Sequence, residues 1–129
     1  PLCAAALEAA DILQGHNIDC AVINARFVKP LDEALIGEWA GYTGRVVTVE
    51  ENAVIGGFGE AVLHCVQRMG REDIRVTCLG LPDRFIEHGP QSVMRSRCGL
   101  DADGIVRAAM AIVEGQTTPT VWSGSSARL

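Results

Sequence analysis

Positive charge is in short supply. Eleven Lys and Arg stand against 16 Asp and Glu, a formal net charge of −5. That balance offers no attractive surface to a phosphate backbone and argues against nucleic acid as a partner. Long apolar runs are missing too: no stretch approaches the roughly 20 residues needed to cross a bilayer, so no membrane partner is expected. The five cysteines, Cys3, Cys20, Cys65, Cys78 and Cys98, are odd in number and widely spaced, with no C-x-x-C pair. Such spacing fails as a zinc site, and a disulfide scaffold is not expected at this length. Cys20, Cys65 and Cys78 sit inside apolar periodic runs, where a free thiol behaves as a small hydrophobe. Buried structural thiols and an intracellular, cytoplasmic origin are the expectation. There is no initiator methionine, and Pro1 and Leu2 run straight into an alanine-rich helical pattern. No secretory leader is expected, and the chain reads as part of something longer.

What is present suits a soluble domain: 48% hydrophobic and 21% charged residues in a chain of 129. That length buries roughly two-thirds of its unfolded surface around one core. A helix is expected from about Leu2 to Gln14, with Leu2, Ala6, Ala9 and Leu13 on one stripe and Gly15 as the stop. Residues 19–24 form a short β-rich run and read as a buried strand. Lys29-Pro30-Leu31 makes a rigid turn, and Asp32 is placed to cap a helix reaching about Tyr42. Residues 45–50 are the clearest strand, β-branched and nearly continuous in hydrophobicity. Beyond Gly56-Gly57-Phe58-Gly59 a helix runs to about Met69. Residues 74–79 are a further strand, residues 91–97 a short helix, and Asp101 caps a last helix with Ile105, Ala108, Ala109, Ile112 and Val113 as its stripe. The Thr-, Ser- and Gly-rich residues 116–129 are expected to form a flexible tail after a domain spanning residues 1–115.

Strands alternating with helices through short loops predict an α/β domain of three layers, α/β/α, around a mostly parallel sheet. A helix that opens such a chain normally follows a strand, and none precedes Leu2. If that opening strand is central, its neighbours expose unpaired backbone groups and the chain alone is poorly stable.

Candidate chemistry is sparse. Gly56, Gly57 and Gly59 at a helix N-terminus offer free N–H groups to an anion, though they match neither the dinucleotide fingerprint nor the phosphate-loop motif. The plainer reading, which we favour, is that glycine allows φ > 0 at the turn and a close approach of helix to sheet. Glu50, Glu51 and Asn52 end a strand where open α/β sheets hold ligands. Neighbours on a strand point to opposite faces, so the two carboxylates do not form an acid–base pair. An interface or loop-fixing role suits them better. His88 has a side chain suited to a proton switch, with Asp83 as a candidate to orient it. No Ser or Cys stands at a nucleophile spacing, so no triad is supported. Arg26 and Lys29 flank the rigid turn and suit a phosphate or an acidic surface, but exposed charges at turns are mostly just solvated. Arg95 and Arg97 are the same kind of case.

Four strings taken together carry a resemblance: Asn24-Ala-Arg-Phe-Val-Lys-Pro-Leu-Asp32; Thr48-Val-Glu-Glu-Asn52 with Gly56-Gly-Phe-Gly59; Gly80-Leu-Pro-Asp83 with Phe85-Ile-Glu-His-Gly89; and Gly99-Leu-Asp-Ala-Asp-Gly-Ile105. From Pro1 to about Glu114 the chain resembles the C-terminal domain of 1-deoxy-D-xylulose-5-phosphate synthases, thiamine-diphosphate enzymes of the transketolase superfamily. The resemblance implies a parent enzyme that condenses pyruvate with glyceraldehyde 3-phosphate and loses carbon dioxide, feeding isoprenoid, thiamine and pyridoxal synthesis. It implies a mixed five-stranded α/β/α unit that supports a homodimer and packs on the catalytic part. It also implies that thiamine diphosphate, Mg2+ and the catalytic residues belong to two preceding domains, so no catalytic, cofactor or metal residue carries over to this chain. The cellular setting implied is the bacterial cytoplasm, or a plastid for a plant enzyme. Arg26, Lys29, Glu50, Asn52, Gly56, Gly57, Gly59, Asp83 and His88 are the candidates for interface or loop support. Two alternatives stay open: the end of a 2-oxoacid dehydrogenase β subunit, and an autonomous anion-binding regulatory module.

Overall fold

The computed structural model describes residues 2–26, 29–82 and 88–115. The elements run α1 (Leu2–Gln14), α2 (Glu33–Thr43), β1 (Arg45–Ala53), α3 (Phe58–Arg68), β2 (Arg75–Leu81), α4 (Gln91–Arg97) and α5 (Ala102–Val113). Local signals set most boundaries. The Asp32 carboxylate accepts the Leu35 amide at 3.1 Å and starts α2, and Gly44, at φ 68°, turns the chain out of it. At α5 the Asp101 carboxylate does the same for the Gly104 amide at 2.8 Å.

β1 and β2 form a parallel pair in register from Arg45 opposite Arg75 to Val49 opposite Leu79. Side-chain alternation then divides the core in two. Val47, Val49 and Leu79 face a cluster with Ala9 of α1, Leu100, and Ile105 and Ala108 of α5. Val46 and Val76 face the other way, toward Ile36 and Ala40 of α2 and Val62, Cys65 and Val66 of α3. These are the helix, sheet and helix layers that the alternating pattern predicts.

The register breaks near the carboxyl end. Pairing resumes at Ala53 opposite Leu81, so Glu50, Glu51 and Asn52 stand against Gly80 alone. This bulge bends β1 away just before α3 begins. Gly80 permits it, because a Cβ there would come within 2.9 Å of the Asn52 carbonyl oxygen and 3.0 Å of Glu50 Cγ.

One expected element differs. Residues 19–24 are extended but belong to no strand, and Val22 and Ile23 are 37% and 38% exposed rather than buried. A β-rich segment becomes a strand only when a neighbour takes its amides and carbonyls, and the sheet among the described residues holds only β1 and β2. The cysteines divide as well: Cys65 and Cys98 are buried, Cys20 and Cys78 half-buried, and Cys3 is exposed at the start of α1, contrary to a uniformly buried set. Residues 116–129 lie outside the described residues.

Candidate functional site

Among the described residues, the best-organised polar arrangement sits where β1 bulges into α3. Glu50, only 5% exposed, points to the α3 side of the sheet. One carboxylate oxygen, Oε1, accepts the Phe58 amide at 2.9 Å. The other, Oε2, accepts the Gly59 amide at 2.7 Å. A carboxylate held on the first amides of a helix is charge-assisted and favoured by the helix dipole. From the helix side, Glu60 Oε2 takes the Gly56 amide at 2.9 Å. The anion that the glycine turn is built to hold is therefore the chain's own carboxylate.

The glycines serve different ends. Gly56 has φ 73° with open space around it, so conformation demands it. Gly57 is extended, at φ −94°, and space demands it: a Cβ would meet Glu50 Oε1 at 2.0 Å. At Gly59 a Cβ would meet Cys78 Sγ and Thr48 Oγ1, each at 2.8 Å. That is the close approach of helix to sheet. Beneath the turn, burial pushes the Cys78 thiol above its ordinary pKa, while the neighbouring Thr48 hydroxyl pulls the other way.

Glu51 points away from Glu50 and is ion-paired with Arg95 of α4, so the two carboxylates have separate partners. Asn52 is exposed on the bulge, and His88 is exposed just ahead of α4. Asp83 lies outside the described residues. Arg26 and Lys29 are exposed, but they do not join this turn. Lys29 leads into Glu33, which pairs with Arg68 on the last turn of α3 rather than with its first. The sequence reading takes Arg95 as a mostly solvated cation and does not join it to Glu51. Its partner lies 44 residues away, and no local pattern announces such a pair.

The carboxyl edge also exposes apolar surface. Ile55, on the bulged loop, is 66% exposed, and α4 buries none of its residues. A seven-residue helix is too short to hold itself together in water, so packing must supply its stability. Among the described residues no three His, Cys, Asp or Glu side chains converge as metal ligands, and no helix is long and apolar enough to cross a membrane.

The family model described as "Transketolase, C-terminal domain" matches residues 1–105. The chain is 50% identical over 104 residues to the 1-deoxy-D-xylulose-5-phosphate synthase of Desulforudis audaxviator, covering 81% of this chain and 16% of that protein. It is 49% identical over 114 residues to 1-deoxy-D-xylulose-5-phosphate synthase 1 of Geobacter sulfurreducens, covering 88% and 18%. A Halothermothrix orenii protein of the same name is 41% identical over 122 residues, covering 95% and 19%. The chain thus spans less than a fifth of the length of these relatives. It belongs to the transketolase C-terminal-domain family.

Proposed function

We propose that the chain is the carboxy-terminal domain of a 1-deoxy-D-xylulose-5-phosphate synthase, a cytoplasmic transferase, and that it supports rather than performs the chemistry. The observation that carries this reading is near-50% identity to such synthases over more than four-fifths of the chain, within less than a fifth of their length. The parent reaction would be the condensation of pyruvate with glyceraldehyde 3-phosphate with loss of carbon dioxide. Thiamine diphosphate would supply the electron sink for the pyruvate-derived carbanion, with Mg2+ holding the diphosphate.

The described residues do not fit either group. The glycine turn at the α3 N-terminus is filled by Glu50, and among the described residues no metal-ligand cluster converges. No step of the reaction is assigned to this chain. Its part would be to present the carboxyl edge of the sheet, with Asn52, Ile55, Gly56 and His88, to the preceding domains and the second subunit of a homodimer. The filled helix N-terminus also weighs against an autonomous anion-binding module.

A domain exchange tests this. The matching segment of the Geobacter sulfurreducens synthase is replaced by this chain, and carbon dioxide release from pyruvate plus glyceraldehyde 3-phosphate is measured. The expected result is a dimeric chimera within about tenfold of the parent kcat, with no turnover by the chain alone. Turnover by the chain alone, a folded but inactive chimera, or micromolar phosphate binding by the isolated chain overturns the reading.

A further inference from the structure

We propose that the amino end of the sheet, far from its carboxyl edge, binds a short acidic segment of another protein. Three of the chain's eleven Lys and Arg, namely Arg45, Arg71 and Arg75, line one cleft there. The turns put them in place. Gly44, at φ 68°, ends α2 and makes Arg45 the first residue of β1. Arg75 opens β2 directly opposite Arg45. Arg71 comes from the turn between α3 and β2, and its Nη1 reaches the Gly41 carbonyl of α2 at 2.8 Å. The cleft holds about 450 Å3, and Tyr42 and Thr43 form another part of its wall.

Each arginine has a structural task, and the N–H groups left over point to a ligand. Arg71 is spent: besides Gly41 it holds Asp73, through Nε at 3.0 Å and through Nη2. Arg45 gives one N–H to the Gly44 carbonyl at 2.9 Å. Arg75 gives one to the Gly115 carbonyl, past the end of α5, at 2.7 Å. Most of the N–H fork of both remains, and among the described residues no carboxylate pairs with either. Glu72 and Asp73 line the cleft too, but Asp73 is engaged by Arg71 and Glu72 pairs with none of the three arginines. Like charges side by side on neighbouring strands repel. A carboxylate set between Arg45 and Arg75 relieves that repulsion and gains charge-assisted bonds.

Exposed guanidinium groups hold a lone ion weakly, and the aromatic side of the cleft selects a peptide instead. Tyr42 is 83% exposed and meets the Trp39 ring edge to face, with centroids 6.0 Å apart. Tyr, Trp and Arg together are what the centre of a protein interface is made of, and arginine clusters are a known means of recognising acidic motifs. An acidic side chain on the arginines, with an apolar neighbour on the aromatic pair, uses both halves of the cleft.

The test is fluorescence anisotropy of a labelled peptide of about ten residues, glutamates around a central phenylalanine, titrated with the whole chain. The expected Kd is about 100 μM or tighter, and it weakens as salt is raised. Arg45→Glu and Arg75→Glu should each weaken binding by about tenfold or more, and Tyr42→Ser by about threefold. Asp73→Asn, which releases Arg71, should tighten it. Circular dichroism checks that each variant is folded. If the charge reversals are not, Tyr42→Ser and Asp73→Asn decide, since both positions are exposed. If the chain alone is unfolded, the domain-exchange chimera takes its place in the same titration. No binding, equal binding of a peptide with glutamine in place of glutamate, or indifference to these substitutions overturns the proposal. So does displacement by inorganic phosphate at the peptide's own concentration, which would leave only an ion site. Self-association of the chain that excludes the peptide overturns it too, making a second copy the occupant. The cleft lies at the other end of the sheet from Asn52 and Ile55, so its failure leaves the synthase reading standing.

Discussion

Two loops of similar length and opposite fortune frame this molecule. The turn from Ala53 to Gly59 has its key amides satisfied from its own two flanks: Glu50 holds Phe58 and Gly59, and Glu60 holds Gly56. Residues 19–24 carry better strand formers, yet they remain outside the sheet. What separates them is the location of the partner. A segment whose partners are its own near neighbours reaches its final form alone, while one that needs a distant strand keeps only its propensity.

If that contrast is right, substitutions at the turn are costly and those in the open segment are not. The largest effect belongs to Gly57→Ala, because its Cβ would displace Glu50 Oε1 from 2.0 Å and strip a buried carboxylate of its donors. A loss of about 3 kcal/mol or more is expected in urea unfolding. Glu50→Ala comes next, at about 2–3 kcal/mol, through the loss of two charge-assisted bonds and the opening of the α3 N-terminus. Glu50→Gln should fall between, since one amide oxygen still accepts while the NH2 group faces a donor. Equal stability for Glu50→Gln and wild type would show that the charge is immaterial to the turn. By contrast, Val22→Ser in the chain alone should stay within about 0.5 kcal/mol of wild type, as exposed positions usually do.

This difference also sets how much of the molecule is legible in its residues. Helices α1, α2, α4 and α5 fall within a residue or so of their expected bounds, because Asp32 and Asp101 caps, Gly stops and apolar stripes are local signals. The three layers follow from the alternation of β and α, and the family strings survive as a match over residues 1–105. The candidate site was only partly legible. Glycine at the turn pointed to close approach, and the structure gives that reason for Gly59. That Glu50 would reach across the bulge to α3 depends on the two extra residues β1 inserts opposite Gly80, which no periodicity reveals. Residues 19–24 were misread because propensity registers what a segment favours and not whether a partner is there. The Glu51–Arg95 pair was missed because nothing local links two charges so far apart.

The helix caps supply a middle rank. Asp101→Ala removes a 2.8 Å bond to the Gly104 amide in a half-buried place and should cost about 1 kcal/mol. Arg95→Ala frees α4 from Glu51, a pair in which the Glu51 side chain is 41% exposed. Its expected cost is below about 1 kcal/mol and shrinks as salt is raised. A larger, salt-insensitive loss would mean that α4 is held by this chain alone and is not waiting for a partner domain.

The smallest effect puts the same chemistry in water. Asp73 accepts two guanidinium bonds from Arg71, much as Glu50 accepts two amides, but this pair lies on the surface. The hydrogen bond from Arg71 holds the Asp73 carboxyl below its ordinary pKa. A carboxyl whose folded pKa is depressed stabilises the fold above its unfolded pKa of about 3.9, and loses that contribution as pH falls through the folded value. The urea midpoints of wild type and Asp73→Asn should therefore differ slightly at pH 7 and converge below about pH 4. In 1 M salt the gap at pH 7 should nearly vanish, because an exposed pair is screened. A gap that persists at low pH would mean the aspartate acts through its shape rather than its charge. The Glu50 turn should keep most of its advantage in the same salt, since its two donors are backbone amides fixed by α3 and screening reaches a buried carboxylate far less.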